Sequence, residues 1–216
     1  MLPNTPSSTF IKKPYFCLPG TIAKSAIADS CLACFDYTNS LADLVIGYMA
    51  APLENNNDMD QSYQSITIRN HRGKQMVDTA LHAGRLQLYG EAKQPKYSND
   101  KQHEGLTLST LESDSIIMEI IGNRDKIPDT GMPQWLGEII ASVITYMGPK
   151  GIPFAKYSID YHILRNYLYV LHEWGEQRTK LSLPEYAKKI VDHYMKYDNF
   201  VSLQEIILSK HPSKKE

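Results

Sequence analysis

Residues 30–49 read Ser30-Cys31-Leu32-Ala33-Cys34-Phe35-Asp36-Tyr37-Thr38-Asn39-Ser40-Leu41-Ala42-Asp43-Leu44-Val45-Ile46-Gly47-Tyr48-Met49. A Cys-x-x-Cys pair leads into a polar turn, Asp36 to Asn39, and then into the apolar run 42–49. That run is short and β-branched at Val45 and Ile46, which predicts a buried strand. A pair of thiols is thus set on a tight loop directly ahead of a core strand. The following segment, Tyr63 to Arg69, alternates Ile66 and Ile68 against Ser65 and Thr67 and predicts a second strand. Asn70 to Gly73 turns the chain into a short amphipathic helix over 74–83, stopped by Gly84.

Upstream, the Pro- and Ser/Thr-rich residues 1–9 have almost nothing to bury, and disorder is expected over 1–12. A strand is expected over 11–18, closed by Pro19-Gly20, and a short helix or loop over 22–28. Downstream, 86–89 is a further candidate strand and 90–108 reads as a long loop. The run 113–121 is too short to choose between helix and strand. The helical half is clearer. Pro133 opens a helix with Leu136, Ile139, Ile140, Val143, Ile144 and Met147 in one stripe, ended by Gly148-Pro149. A second helix is expected over 157–177, a third from Pro184 with Tyr186, Ile190, Val191 and Tyr194 as its stripe, and a short last one over 203–209. Strands first and helices after predict an α+β fold: a small mixed sheet in the N-terminal half, packed with a C-terminal group of three to four helices.

The 216 residues suffice for an ordinary core, with 42% hydrophobic and 22% charged residues. A formal net charge of −1 gives no electrostatic case for nucleic acid or an acidic membrane. No apolar run approaches the ~20 residues of a transmembrane segment, and the N-terminus lacks the features of a signal or transit peptide.

Three cysteines, an odd number, argue for a reducing compartment, where Cys-x-x-Cys reads as metal-binding or redox-active. A tetrahedral zinc site or a 4Fe–4S cluster takes about four ligands. Cys31, Cys34 and the weaker candidate Cys17 supply three at most, so a further ligand must come from elsewhere. The spacing leaves ligation and plain burial of the thiols level. Thr67, Arg69 and Asn70, at the end of the second strand, are candidates for contact with a cofactor phosphate or flavin, against the simpler role of exposed strand-end residues. Tyr157, Asp160, Tyr161, His162, Arg165, Asn166 and Tyr169 make an unusually polar, aromatic helix that either packs within the fold or lines a pocket or docking face. His71, His82, His103, His172, His193 and His211 show no ligand spacing and read as surface residues.

Cys31-Leu-Ala-Cys34-Phe-Asp36 followed by Ala42-Asp43-Leu-Val-Ile-Gly47 resembles the Cys-x-x-Cys-x-Asp…Ala-Asp-hydrophobic-x-Gly motif of the deazaflavin-dependent hydrogenase/dehydrogenase beta-subunit family. Ile66-Thr-Ile-Arg-Asn70, Gly148-Pro-Lys-Gly151, the stretch 157–169 and Glu185-Tyr-Ala-Lys-Lys-Ile-Val191 resemble its photosynthetic branch, the ferredoxin-dependent chlorophyll-pathway reductases. The resemblance runs from about 13 to 194. It implies a 4Fe–4S cluster with Cys31 and Cys34 as ligands, FAD, reduced ferredoxin as electron donor and a tetrapyrrole as substrate; position in the chain alone places Thr67 and Arg69 near the flavin. It further implies a cyanobacterial cytoplasm or plastid stroma as location. On residues 131–138 the likeness leans to 8-vinyl reduction of divinyl (proto)chlorophyllide, with 7-hydroxymethyl chlorophyll a reduction as the alternative.

Members of the family are far longer. The chain is therefore expected to be their C-terminal part, with a C-terminal family domain over 13–200 and a short helix and polar tail over 201–216. Both cofactors would be completed by a missing N-terminal part or a separate chain, without which activity is not expected. The alternative of another class is a zinc-bound or metal-free structural module.

Overall fold

The computed structural model describes residues 14, 17–48, 51, 63–90, 100–123, 125, 131–147 and 152–210. The expected disorder over 1–12 lies outside them. The elements are α1 (Gly20–Ser25), α2 (Asp29–Leu32), β1 (Leu44–Gly47), β2 (Ser65–Ile68), α3 (His71–His82), α4 (Asp100–Ser113), α5 (Ser115–Ile120), α6 (Gln134–Met147), α7 (Ile152–Ser182), α8 (Glu185–Tyr194) and α9 (Asp198–Lys210). The fold is α+β, with a small sheet followed by helices.

The sheet is antiparallel where a mixed one is expected, and among the described residues it has two strands, with Leu44 opposite Ile68 and Ile46 opposite Ile66. The expected strand over 11–18 fails at its described end. The Cys17 amide turns back onto the Pro14 carbonyl at 2.9 Å, a tight turn that suits the flanking prolines. Residues 86–89 do not pair either, although the Tyr89 ring stacks on Tyr63 just ahead of β2, with centroids 4.2 Å apart.

α7 is the central helix and touches α2, α4, α5, α8 and α9. Its Ile163, Leu164, Leu168 and Leu171 are essentially without solvent contact and form one core with Leu111, Ile117, Tyr194, Phe200 and Ile207. Gly175 interrupts α7 with φ 76° and ψ 170°, a left-handed conformation that favours glycine. The buried Thr179 hydroxyl donates to the Val170 carbonyl near this break, at 3.1 Å. α9 begins at Asp198 and sends Phe200, Leu203 and Ile207 into the core, so residue 201 lies inside a packed helix.

The second half of the loop expected over 90–108 is helix α4 instead. Its inward face consists of His103, Glu104, Thr107, Leu108 and Leu111. The spacing is helical but three of the five side chains are polar, so no apolar stripe appears in the sequence. Partners on α7 and α8 make this burial tolerable: Asp160 for His103, His193 for Glu104.

Candidate functional site

The Cys31–Cys34 loop shows how the spacing works. Cys31 closes the short α2 turn by donating its amide to the Ala28 carbonyl at 2.8 Å. Leu32 and Phe35 turn inward and are buried, whereas Cys31 and Cys34 are both exposed. Two hydrophobic anchors three apart therefore alternate with two thiols three apart, and docking one pair presents the other. The chain then reverses through Asp36–Asn39. Asn39 adopts φ 50°, which asparagine tolerates, and the Ser40 amide donates to Asp36 Oδ1 at 2.6 Å. That hydrogen bond, then the nearby Arg69 charge, holds the Asp36 carboxyl below its ordinary range.

One face of α7 fastens this loop. Ser158, His162 and Asn166 fall at i, i+4 and i+8 and share a stripe. Ser158 Oγ hydrogen-bonds the Tyr37 hydroxyl at 2.8 Å, and the His162 ring stacks on the Tyr37 ring with centroids 4.2 Å apart. Asn166 Nδ2 donates to the carbonyls of both cysteines, 3.0 Å to Cys31 and 2.6 Å to Cys34. Tyr169, three residues further, lines a cleft with Asp29, and burial, then the Asp29 charge, raises its pKa. His162 Nδ1–H donates to the Ser158 carbonyl at 2.7 Å, which fixes the tautomer of the neutral ring. Burial, with a smaller contribution from the Arg165 charge, lowers its pKa against the opposing pull of that carbonyl. The polar helix of the sequence both packs its aromatics and carries the thiol loop. Its individual anchors were not legible there, although an asparagine inside a helix flanked by Leu164 and Leu168 is the available signal.

Arg69 and Asn70 brace the same loop from the sheet side. The Arg69 guanidinium donates to the Thr38 carbonyl, and its amide donates to the Asp43 carbonyl at 3.0 Å. Asn70 caps α3 through Gly73 N at 3.0 Å and donates Nδ2 to Asp43 Oδ1 at 2.7 Å. Gly73 is required here, because a Cβ would run into the Asp43 carbonyl oxygen. Thr67 is exposed and sits opposite Val45 in the ladder.

Cys17 is not brought to the loop. It is buried in its turn, with Gly131 (φ 71°) pressed against its carbonyl. Among the described residues no group of three His, Cys, Asp or Glu side chains is placed to hold a metal ion. Cys31 and Cys34 are both open to solvent, and two thiolates are half of what a 4Fe–4S cluster takes. Two of the clefts among the described residues, of about 370 and 360 Å³, are small for a dinucleotide, and neither is lined by Thr67, Arg69 or Asn70.

The second cleft adjoins a buried polar cluster between α4, α7 and α8. Asp160 Oδ2 accepts from Tyr194 at 2.8 Å and from His103 Nε2 at 3.3 Å. Burial nevertheless dominates and raises the Asp160 pKa. For Glu104 burial acts in the same direction, but hydrogen bonds from His193 and Lys196 outweigh it and lower the pKa. His103, expected at the surface, is buried because Asp160 satisfies its ring.

The family described as the C terminus of the coenzyme F420 hydrogenase/dehydrogenase beta subunit matches residues 9–94, which hold all three cysteines, both strands and α3. Over residues 9–94 the chain matches this family's C-terminal region. Over 183 residues it is 42% identical to the chloroplastic 7-hydroxymethyl chlorophyll a reductase of Oryza sativa subsp. japonica, an alignment covering 85% of this chain and 36% of that protein. It is 37% identical over 183 residues to an uncharacterized protein of Nostoc sp., covering 85% of the chain and 39% of the relative. An alignment of 183 residues must run well past residue 94, so the likeness extends into the helical half and lies in the photosynthetic branch of the family. The chain spans little more than a third of the length of these curated relatives. No helix among the described residues is long and apolar enough to cross a membrane.

Proposed function

We propose that this chain is the C-terminal portion of an iron–sulfur flavoprotein reductase of chlorophyll metabolism, with Cys31 and Cys34 as two of the thiolate ligands of a 4Fe–4S cluster. The observation that carries the reading is the anchored loop: both thiols are exposed on a backbone fixed from α7 and from the sheet. A metal-free structural module has no need to hold two thiols open to solvent. When bound, the cluster and a flavin supply electron transfer, and ferredoxin is the proposed donor. The residues of this chain hold the loop, exclude water behind it through Leu32 and Phe35, and present Thr67 and Arg69 on the strand end where a flavin bound chiefly by other residues would approach.

The ligands missing here, and most of the flavin site, belong in this reading to residues outside the matched third of the relatives. Uncovered apolar surface supports that view. Ile46 and Ile68 on one face of the sheet are 54% and 46% exposed, and Trp135, Ile139 and Val143 form an exposed stripe on α6.

The proposed substrate is a tetrapyrrole, and identity to the rice reductase favours the 7-hydroxymethyl group as the position reduced. The 8-vinyl group of divinyl chlorophyllide is the second reading, favoured by the stretch 131–138. The test is to assemble the chain with the remaining region of a longer relative and offer each pigment separately with reduced ferredoxin. Conversion of the hydroxymethyl pigment, lost in Cys31→Ser, is the expected result. Conversion of the divinyl pigment alone transfers the assignment to vinyl reduction, and conversion of neither overturns the reductase reading.

A further inference from the structure

Asn166 and Arg165 lie side by side in the middle of α7 and are 4% and 8% exposed. Asparagine is a poor helix-interior residue because its amide competes with the backbone for hydrogen bonds. This amide is turned away from its own helix. Both of its polar atoms are used: Nδ2 reaches the two cysteine carbonyls, and Oδ1 accepts from Arg165 Nε and Nη2, each at 3.3 Å. The guanidinium is itself held over the Tyr161 ring, 5.5 Å from its centroid, and Tyr161 donates its hydroxyl to Asp114. Asp114 in turn caps α5 through the Ile116 and Ile117 amides. A continuous run of side chains thus connects the body of the helical domain to the backbone between the two thiols.

We propose that Asn166, oriented by Arg165, is a positioning residue for the Cys31–Cys34 pair. One amide gathering two carbonyls fixes the backbone on both sides of Leu32-Ala33, so that the two sulfurs address a single shared ligand. The inference rests on the reading of the pair as ligands. Leu32 and Phe35 dock the loop whether or not the amide is present, and the Tyr37 contacts hold its far end. Loss of the amide therefore loosens the relative placement of the thiols more than it loosens the fold.

The experiment uses the full 216-residue chain, reduced and free of metal, with phenylarsine oxide as probe. Its arsenic condenses with two thiols to a cyclic dithioarsenite and releases one water, with no change of oxidation state, so binding reads how well both sulfurs reach one atom. The native chain binds one equivalent, and Cys31→Ser abolishes this. Asn166→Asp preserves the shape and the Arg165 contact but removes both N–H donors, and it weakens binding by about tenfold. Single-thiol alkylation by iodoacetamide is not slowed in this variant, and Asn166→Gln, which restores the donors on a longer arm, recovers part of the loss.

Asn166→Asp binding as tightly as the native chain overturns the proposal while leaving the ligand reading intact. Failure of the native chain to bind, with both thiols readily alkylated, overturns the ligand reading instead and the positioning role with it. Should Asn166→Asp not fold, Asn166→Ser makes the same comparison, since its hydroxyl is too short to span both carbonyls.

Discussion

Two helices carry side chains at the same i, i+4, i+8 spacing and use them in opposite ways. On α7, Ser158, His162 and Asn166 are polar and each is engaged by the loop over 31–37. On α6, Trp135, Ile139 and Val143 are apolar and more than half exposed. Spacing alone therefore says that a face exists, and chemistry says whether this chain completes it. The polar face is satisfied from within and builds a site. The apolar face is left for something outside the described residues to cover, as expected of a chain matching about a third of its relatives.

The sharpest way to break this contrast is to damage the opposite side of α7. Leu168→Ala removes a fully buried side chain from the core, and destabilisation of about 2–5 kcal/mol is expected in denaturant unfolding, with Cys17 becoming reactive as the core opens. A cost under about 1 kcal/mol would mean that α7 is not the central support. Gly73→Ala attacks the second brace. Its Cβ would meet backbone rather than a flexible side chain, so a loss of about 1–3 kcal/mol is expected. The loss should come with faster hydrogen exchange at the Arg69 amide, which donates to the Asp43 carbonyl.

The pH dependence of the polar face follows from His162. Its folded pKa is depressed, so the unfolded chain binds the proton more readily. The contribution to stability is complete above the unfolded value of about 6.5 and is lost as pH falls below it. His162→Phe keeps the ring against Tyr37 and should flatten the stability profile over that range. An unchanged profile would show that the ring titrates freely. On α6 the expected effect is the smallest. Ile139→Ser should alter the stability of the isolated chain by no more than about 0.5 kcal/mol while reducing its association with the remaining region of a longer relative. A large loss of stability would show that the stripe is already covered.

The sequence was readable where apolar periodicity and turn chemistry agreed. β1, β2, α3, α7 and α8 fall where Val45-Ile46, the alternation at 65–68, the Gly84 stop, the apolar positions of 163–171 and Pro184 put them. α4 was hidden because His103, Glu104 and Thr107 occupy its inward face, and the partners that settle the burial of His103 and Glu104 come from distant α7 and α8. The candidate strand over 11–18 fails at its described end because Cys17 sits in a turn between prolines. Around the candidate site, the motif singled out Cys31 and Cys34, and the strand end singled out Arg69 and Asn70. It did not reveal that Arg69 and Asn70 hold Thr38 and Asp43, nor that Asn166, 132 residues after Cys34, reaches its carbonyl. Contacts across such a separation follow from the path of the chain and from no local pattern.

The most direct test of the central claim is anaerobic reconstitution of the chain, together with the remaining region of a longer relative, using ferrous iron and sulfide, followed by Mössbauer and visible absorption spectroscopy. The account predicts a 4Fe–4S signature that disappears in Cys31→Ser and in Cys34→Ser and persists in Cys17→Ser. An undiminished cluster in both of the first two variants would contradict it.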